Sequence, residues 1–240
     1  MALFVKKKYL TELSVKTEYH CHLLPGVDDG IQKREESFAL LKKMQDVGYS
    51  KVFLTPHINP DIFPENTEPF LRRRFEIFKT ELPADISLDL TLSAEYMVEG
   101  TFCDRIAPDM LYFEVDGKKY VLIEMSYYYI SNEIEDALFK LSLAGFIPVL
   151  AHPERYLYLA SSLKVFEKYH DMGCKFQLNL LSLSGIYGQG SIKIMKYLLG
   201  NRWYRFVGSD AHSIEHFEKI QTIKMKPDLF DKLLEISNLY

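Results

Sequence analysis

The sequence predicts a parallel α/β barrel, and three observations carry the prediction. Short apolar or β-branched runs recur along the chain. Amphipathic helical segments lie between them, several stopped by a glycine. A histidine or carboxylate stands at the end of almost every run. Strand, helix, glycine, strand is the signature of βα units on a parallel sheet. Seven such strands in one chain suggest a closed or nearly closed barrel, with an open doubly wound sheet as the alternative.

The runs, in order, are TEYHC (17–21), KVFLT (51–55), DLTLSAE (89–95), YVLIE (120–124), FIPVLAH (146–152), KFQLN (175–179) and RFVGSD (205–210). The segment 34–49 spaces Phe38, Leu41 and Met44 as one helical face and stops at Gly48. Segments 132–146 and 162–174 repeat the pattern, with stops at Gly145 and Gly173. At 240 residues the chain can form one large domain or two small ones, and 48% hydrophobic content supplies a core and argues against disorder. A single domain over 1–240 is expected, with residues 1–16 as an N-terminal extension of no assigned role.

Composition excludes several function classes. A net charge of -4 offers nothing to nucleic acid. No apolar run approaches the ~18 residues of a membrane span. MALFVKKKYL places a brief apolar piece before its lysines, which is the wrong order for a signal peptide. Cys21, Cys103 and Cys174 lie far apart without CxxC spacing, so neither a disulfide framework nor a zinc ribbon is indicated. A soluble cytoplasmic protein is expected, without stable membrane insertion.

The polar residues at the strand ends carry the chemistry. His20 and His22 end the first run, and His57 follows the second. Glu95, Glu124 and His152 end the third, fourth and fifth. Asp210 and His212 end the seventh. In a parallel barrel all these ends open on one face, where active sites are built. A lone histidine after a strand is usually a loop residue, but eight such groups on six of seven strands point to one pocket. Imidazole and carboxylate suit zinc, manganese or iron. In an extended strand His20 and His22 share a face and can reach one ion while Cys21 points away. Asp28 and Asp29, just downstream, are further candidates.

In this order and spacing, HCH, DDG, TPH, AE, IEMS, AHPERY and GSDAH resemble the PHP (polymerase and histidinol phosphatase) family. More narrowly they resemble its bacterial manganese-dependent tyrosine phosphatases of the CpsB/YwqE type, linked to capsule and exopolysaccharide synthesis. HCHLLPGVDDG with REES and AHPERY is the subfamily-specific part, and the match runs from about residue 17 to about residue 212. The resemblance implies a distorted (β/α)7 TIM-like barrel. It also implies three divalent transition-metal ions, with manganese first and iron or zinc as alternatives. By motif position His20, His22, Glu95 and Asp210 would hold one ion. Glu95 would bridge to a second with Glu124 and His152, and Asp29, His57 and His212 would hold the third. Asp28 could replace Asp29 in the loop position. Arg155 matches the family's phosphate-binding arginine. Some relatives carry a further arginine after the last histidine; SDAHSIEHFEK has none.

The chemistry implied is hydrolysis of a phosphomonoester. Three dications outweigh the four carboxylates and leave a positive site for a phosphate dianion. Such ions acidify water and steady entering and leaving oxygens, so no covalent phosphoenzyme is needed. The implied substrate is the phosphotyrosine tail of a bacterial tyrosine autokinase, in control of capsular or exopolysaccharide synthesis. The alternatives are a phosphoesterase for a small molecule such as histidinol phosphate, and a non-catalytic kinase-binding regulator. Tyr127, Tyr128 and Tyr129 could rim the pocket or simply pack. YGQGS (187–191) reads as a plain loop, and His170 and His216 as exposed helical residues.

Overall fold

The computed structural model describes residues 7–13 and 15–237. The expected N-terminal extension therefore lies partly outside the described residues. Within it, β1 (Lys8–Tyr9) pairs antiparallel with β12 (Lys224–Met225) near the other end of the chain.

All seven expected runs form parallel strands. β2 (Thr17–Cys21), β3 (Lys51–Leu54) and β5 (Asp89–Leu92) make one sheet in that order. β4 (His57–Ile58), β6 (Glu95–Met97), β8 (Lys118–Glu124), β9 (Ile147–Ala151), β10 (Lys175–Asn179) and β11 (Tyr204–Gly208) make the second. The run 89–95 was expected as one strand, but it breaks between β5 and β6, and the chain beside it breaks at Pro56 between β3 and β4. Proline has no N–H for a ladder, so the break falls where pairing must lapse. Across it, Ser93 N donates to Leu54 O (2.8 Å) and Glu95 N to Pro56 O (3.1 Å). On the other side, Asp210 N donates to His20 O (2.7 Å) and His22 N to Ala211 O (3.0 Å), joining the chain after β11 to β2. The result is a distorted (β/α)7 barrel whose regular ladders lapse twice.

The helices α1 (Arg34–Asp46), α2 (Glu68–Thr80), α3 (Ile134–Leu143), α4 (Lys164–Asp171), α5 (Gly188–Gly200), α6 (Ile214–Gln221) and α7 (Pro227–Ser237) complete the fold. The glycine stops expected after α1, α3 and α4 all adopt left-handed backbone, which glycine takes without a Cβ clash. α1 buries Leu40, Leu41 and Met44, while Phe38 is half-buried against the ring of Phe78 (5.3 Å). YGQGS is not a loop: Gly188 opens α5, and Gly190 packs in its first turn beside Leu157 and Ala160. β7 (Phe113–Val115) adds an antiparallel hairpin to β8 through Asp116-Gly117, both at positive φ, the chemistry a tight hairpin turn requires.

Two cores result. The larger lies between strands and helices. The smaller fills one end of the barrel lumen with Tyr19, Phe53, Phe113, Tyr120 and Phe206 packed with Leu122, Val149 and Ala151. It forms a floor on which the polar strand ends stand.

Candidate active site

Alternation carries side chains from floor to mouth. On β8, Tyr120 and Leu122 lie in the small core and Glu124 follows on the same face. On β9, Val149 and Ala151 face inward, so simple alternation would turn His152 outward. Instead His152 adopts φ +33°, ψ +52°, and its ring joins the mouth. Asp210 is likewise left-handed at φ +51°. Such conformations are strained in non-glycine residues and collect at functional sites.

Glu95 is the hub. Its Oε2 lies 3.1 Å from His20 Nε2, 3.3 Å from His22 Nε2 and 3.3 Å from His57 Nδ1. Its Oε1 lies 3.0 Å from His152 Nε2. Asp210 Oδ1 is 3.5 Å from His20 Nε2 and 3.4 Å from His22 Nε2. Glu124 Oε1 is 3.1 Å from His57 Nδ1. Asp29 Oδ1 lies between His57 Nε2 (3.4 Å) and His212 Nε2 (3.5 Å). All nine expected ligand residues therefore meet at one mouth.

The two neighbouring aspartates have different places. Asp28 Oδ2 accepts from His22 Nδ1 (2.9 Å) and from His57 N (3.0 Å), behind the cluster. Asp29 reaches into it. A carboxylate on the far nitrogen of an imidazole fixes the ring's tautomer and orientation, the usual support for a metal-binding histidine.

Electrostatics explain why the cluster holds together. Burial opposes charge on His20, but Glu95 and Asp210 outweigh it and hold the ring above the ordinary imidazole range. His22 rises well above that range for the same reason, with Asp28 the largest attraction. Burial and the charge of His22 oppose the charging of His57, yet Glu124 and Asp29 push it up to about 10. Burial would raise Glu95 and Asp210, but His20 is the largest of several influences that draw both well below the carboxylate range. Hydrogen bonds from His212 and then His57 lower Asp29. Ring protons here supply the positive charge that the carboxylates demand.

Protons do not satisfy every atom. Among the described residues, Glu95 Oε2 is buried without a hydrogen bond despite its three imidazole neighbours, and His152 Nδ1 is likewise unpartnered. Three ligand groups have donor atoms within 4.8 Å of one another: His22, Asp29, His57 and His212; His20, His22 and Glu95; and His57, Glu95 and Glu124. An orphaned carboxylate oxygen inside a ring of imidazoles is the donor set of a transition-metal site. The residues present fit that group.

The mouth opens into a cleft of about 740 Å³. Arg155 lines it, with Nη1 on Asp210 Oδ2 (2.8 Å) and its guanidinium over the rings of Tyr127 (4.3 Å) and Tyr187 (4.9 Å). Tyr127 and Tyr128 reach the cleft, Tyr128 88% exposed, whereas Tyr129 is not among the lining residues. His216 is not a freely exposed helical residue. It is half-buried in the cleft wall with its ring edge-on to His212 (6.0 Å). His170 is half-buried too, stacked on Trp203 (4.8 Å).

Several supporting residues escape motif reading. Gln177 Oε1 lies 2.9 Å from His20 Nδ1 and accepts from His152 N (3.3 Å). Asn179 Nδ2 donates to Asp210 Oδ2 (2.9 Å). Both stand at alternate positions of KFQLN, so their polarity in a buried strand was the available signal. Glu154 is fully buried and accepts from Asn179 N, Ser182 Oγ and Tyr204 OH. Gly208 has no Cβ because one would lie 2.6 Å from that of His20.

A seven-stranded α/β barrel with an imidazole–carboxylate cluster at its C-terminal mouth defines a metal-binding barrel of phosphoesterase type. The family model for capsular polysaccharide synthesis, CpsB/CapC, matches residues 17–225, and the chain belongs to that family. It is 27% identical over 198 residues to the tyrosine-protein phosphatase YwqE of Bacillus subtilis, covering 82% of this chain and 78% of that one. It is 28% identical over 206 residues to the tyrosine-protein phosphatase CpsB of Streptococcus pneumoniae, covering 82% and 83%. A crystal structure from the study of YwqE and CpsB, described as metal-dependent tyrosine phosphatases, superposes with a TM-score of 0.70 at 26% identity, covering 85% of this chain and 84% of that one. Histidinol phosphate phosphatase of Lactococcus lactis shares the fold, with a TM-score of 0.51 at 13% identity over 87% of this chain and 92% of that one.

Proposed function

We propose that this protein is a cytoplasmic, metal-dependent protein-tyrosine phosphatase. In this reading the whole chain serves as one phosphoesterase domain, and its substrate is phosphotyrosine on the tail of a bacterial tyrosine kinase that controls capsular or exopolysaccharide synthesis. The observation that carries the proposal is the buried, unpartnered Glu95 oxygen encircled by imidazoles beneath an arginine-lined cleft. The names of the relatives support the same reading.

The ligand set proposed is His20, His22, Asp29, His57, Glu95, Glu124, His152, Asp210 and His212, for three divalent ions, manganese first. Asp29 rather than Asp28 is the loop ligand, because Asp28 is committed to His22. Divalent ions held there would supply electrophilic charge and acidify water. The chain's own residues do the rest. Asp28 and Gln177 set the outward-facing nitrogens of His22 and His20. Arg155 stays charged at any working pH and is held flat between Tyr127 and Tyr187, so its remaining N–H groups can meet phosphate oxygens. Tyr127 and Tyr128 supply apolar surface where the substrate ring would lie. A phenolate leaving group, with a pKa of about 10, needs less acid assistance than a serine alkoxide.

The test compares kcat/KM on matched phosphotyrosine and phosphoserine peptides and on histidinol phosphate, with metal content measured on the same sample. Phosphotyrosine should lead, with two or three ions bound per chain. Preference for histidinol phosphate would overturn the substrate assignment. Turnover that survives strong chelation would overturn the metal assignment.

A further inference from the structure

The end of the barrel opposite the mouth carries a second cleft, of about 590 Å³. The strand starts form one side, with Lys118 of β8, Ile147 of β9, Lys175 of β10 and Arg205 of β11. The end of α5 and one face of α7 form the other, with Leu199, Arg202, Lys232 and Ile236. Five cationic side chains thus face a single carboxylate, Glu235, on a chain whose net charge is -4.

Four of the five charges are also uncompensated among the described residues. Lys43, Lys51 and Lys140 each hold a carboxylate at 2.8–3.1 Å. Lys118, Lys175, Arg202 and Lys232 form no ion pair with another described residue. Arg202 also sits at φ +57°, a region that costs a non-glycine residue strain. A concave site lined by one sign of charge focuses potential and gathers counter-ions. Apolar side chains are interleaved with the cations on both sides: Ile147 among the strand starts, Leu199 and Ile236 on the helices, with the indole of Trp203 in the same lining. That indole is fixed by His170 stacked at 4.8 Å and Tyr197 edge-on at 5.6 Å.

We infer that this cleft is a second binding site, for a phosphate-bearing anion with a flat ring, of the nucleoside diphosphate class. Its volume falls in the ~300–1,000 Å³ range of small-molecule sites. Guanidinium and ammonium groups suit phosphate oxygens. Ile147, Leu199, Ile236 and the Trp203 indole give the same cleft apolar surface for a flat ring. The inference stands on residues remote from the phosphatase mouth and does not depend on the function proposed for it.

Trp203 is the only tryptophan of the chain, so its emission reports on this cleft. Adenosine diphosphate should change that emission saturably when titrated into the metal-loaded protein, and calorimetry should give the same Kd. Adenosine, which lacks the phosphates, should not bind. The double variant Lys175→Ala/Arg202→Asn should raise Kd by about tenfold or more, the scale expected for lost charge-assisted contacts; asparagine tolerates the left-handed backbone at 202. Lys232→Ala, on the exposed face of α7, tests the same charge cluster should the double variant fold poorly, and it should weaken binding in the same direction. Absence of a saturable response at millimolar adenosine diphosphate would overturn the site. So would equal binding of adenosine, or an unchanged Kd in a folded variant.

Discussion

The two ends of the barrel lumen are built from the same strands and obey opposite rules. In the lower half Phe206 is the centre of an aromatic cluster, with ring centroids 4.7 Å from Tyr19, 4.9 Å from Tyr120 and 5.0 Å from Phe113. In the upper half Glu95 is the centre of a polar cluster whose inner members, His20, His22, His152 and Asp210, are equally buried. Burial stabilises the first directly. It penalises the second, since each charge there loses water and is held only by its opposite. One two-residue step, from Leu122 to Glu124, separates the regimes. The floor supplies stability and rigidity, which lets the mouth hold strained residues and an unpartnered carboxylate oxygen in place.

Substitutions at the two hubs should separate those roles. Phe206→Ala should cost ~3–5 kcal/mol of stability, the usual range for a buried phenylalanine, read as a lower midpoint in urea. Metal stoichiometry in the surviving folded fraction should stay unchanged; loss of metal at full stability would mean that the floor and the mouth are one unit. Glu95→Gln should do the reverse, with the fold kept and metal content and kcat/KM falling beyond the ~10–100-fold typical of an orienting partner. Activity retained in that variant would remove Glu95 from the centre.

Asp28→Asn gives a finer division within the upper half. Only the carboxylate behind His22 changes, so metal affinity should fall by ~10–100-fold while kcat at saturating metal recovers. A variant inactive at every metal concentration would place Asp28 among the ligands instead.

Much of this contrast was legible in the sequence, for a geometric reason. Parallel strands deliver their C-terminal residues to one face, so eight residues spread from His20 to His212 could be brought together without knowing any contact. Periodicity could not sort Asp28 from Asp29, because a turn sends adjacent side chains to unrelated places. It also misdirects at His152, where alternation points outward and a left-handed residue turns the ring back. The opening of α5 was obscured because Gly188 and Gly190 are poor helix formers, and Gly188 stands at φ +83°, outside the helical region. Gln177 and Asn179 were visible as polar residues in a buried strand. Their role depends on partners 157 and 31 residues away, which only the fold supplies.

The smallest effect should come from the residue between the two metal-site histidines. Cys21 has the position of a ligand or a nucleophile, yet its side chain faces away from the mouth. Its Sγ lies 3.4 Å from Phe53 O and belongs to the core between strands and helices. Burial holds the thiol well above its ordinary range, so the reactive thiolate is scarce at neutral pH. None of the three cysteines has an arginine six residues on, since Val27, Asp109 and Leu180 stand there; a cysteine-dependent phosphate loop is therefore absent. In Cys21→Ser the hydroxyl can donate to the same carbonyl, and the volume lost is small. Stability should fall by no more than about 1 kcal/mol, within the range of mild core changes. Values of kcat/KM should stay within about threefold of the parent, well under 1 kcal/mol of barrier. A loss of several orders of magnitude with metal content intact would put the thiol into the chemistry, and the division between the polar mouth and the packed outer face would fail at β2.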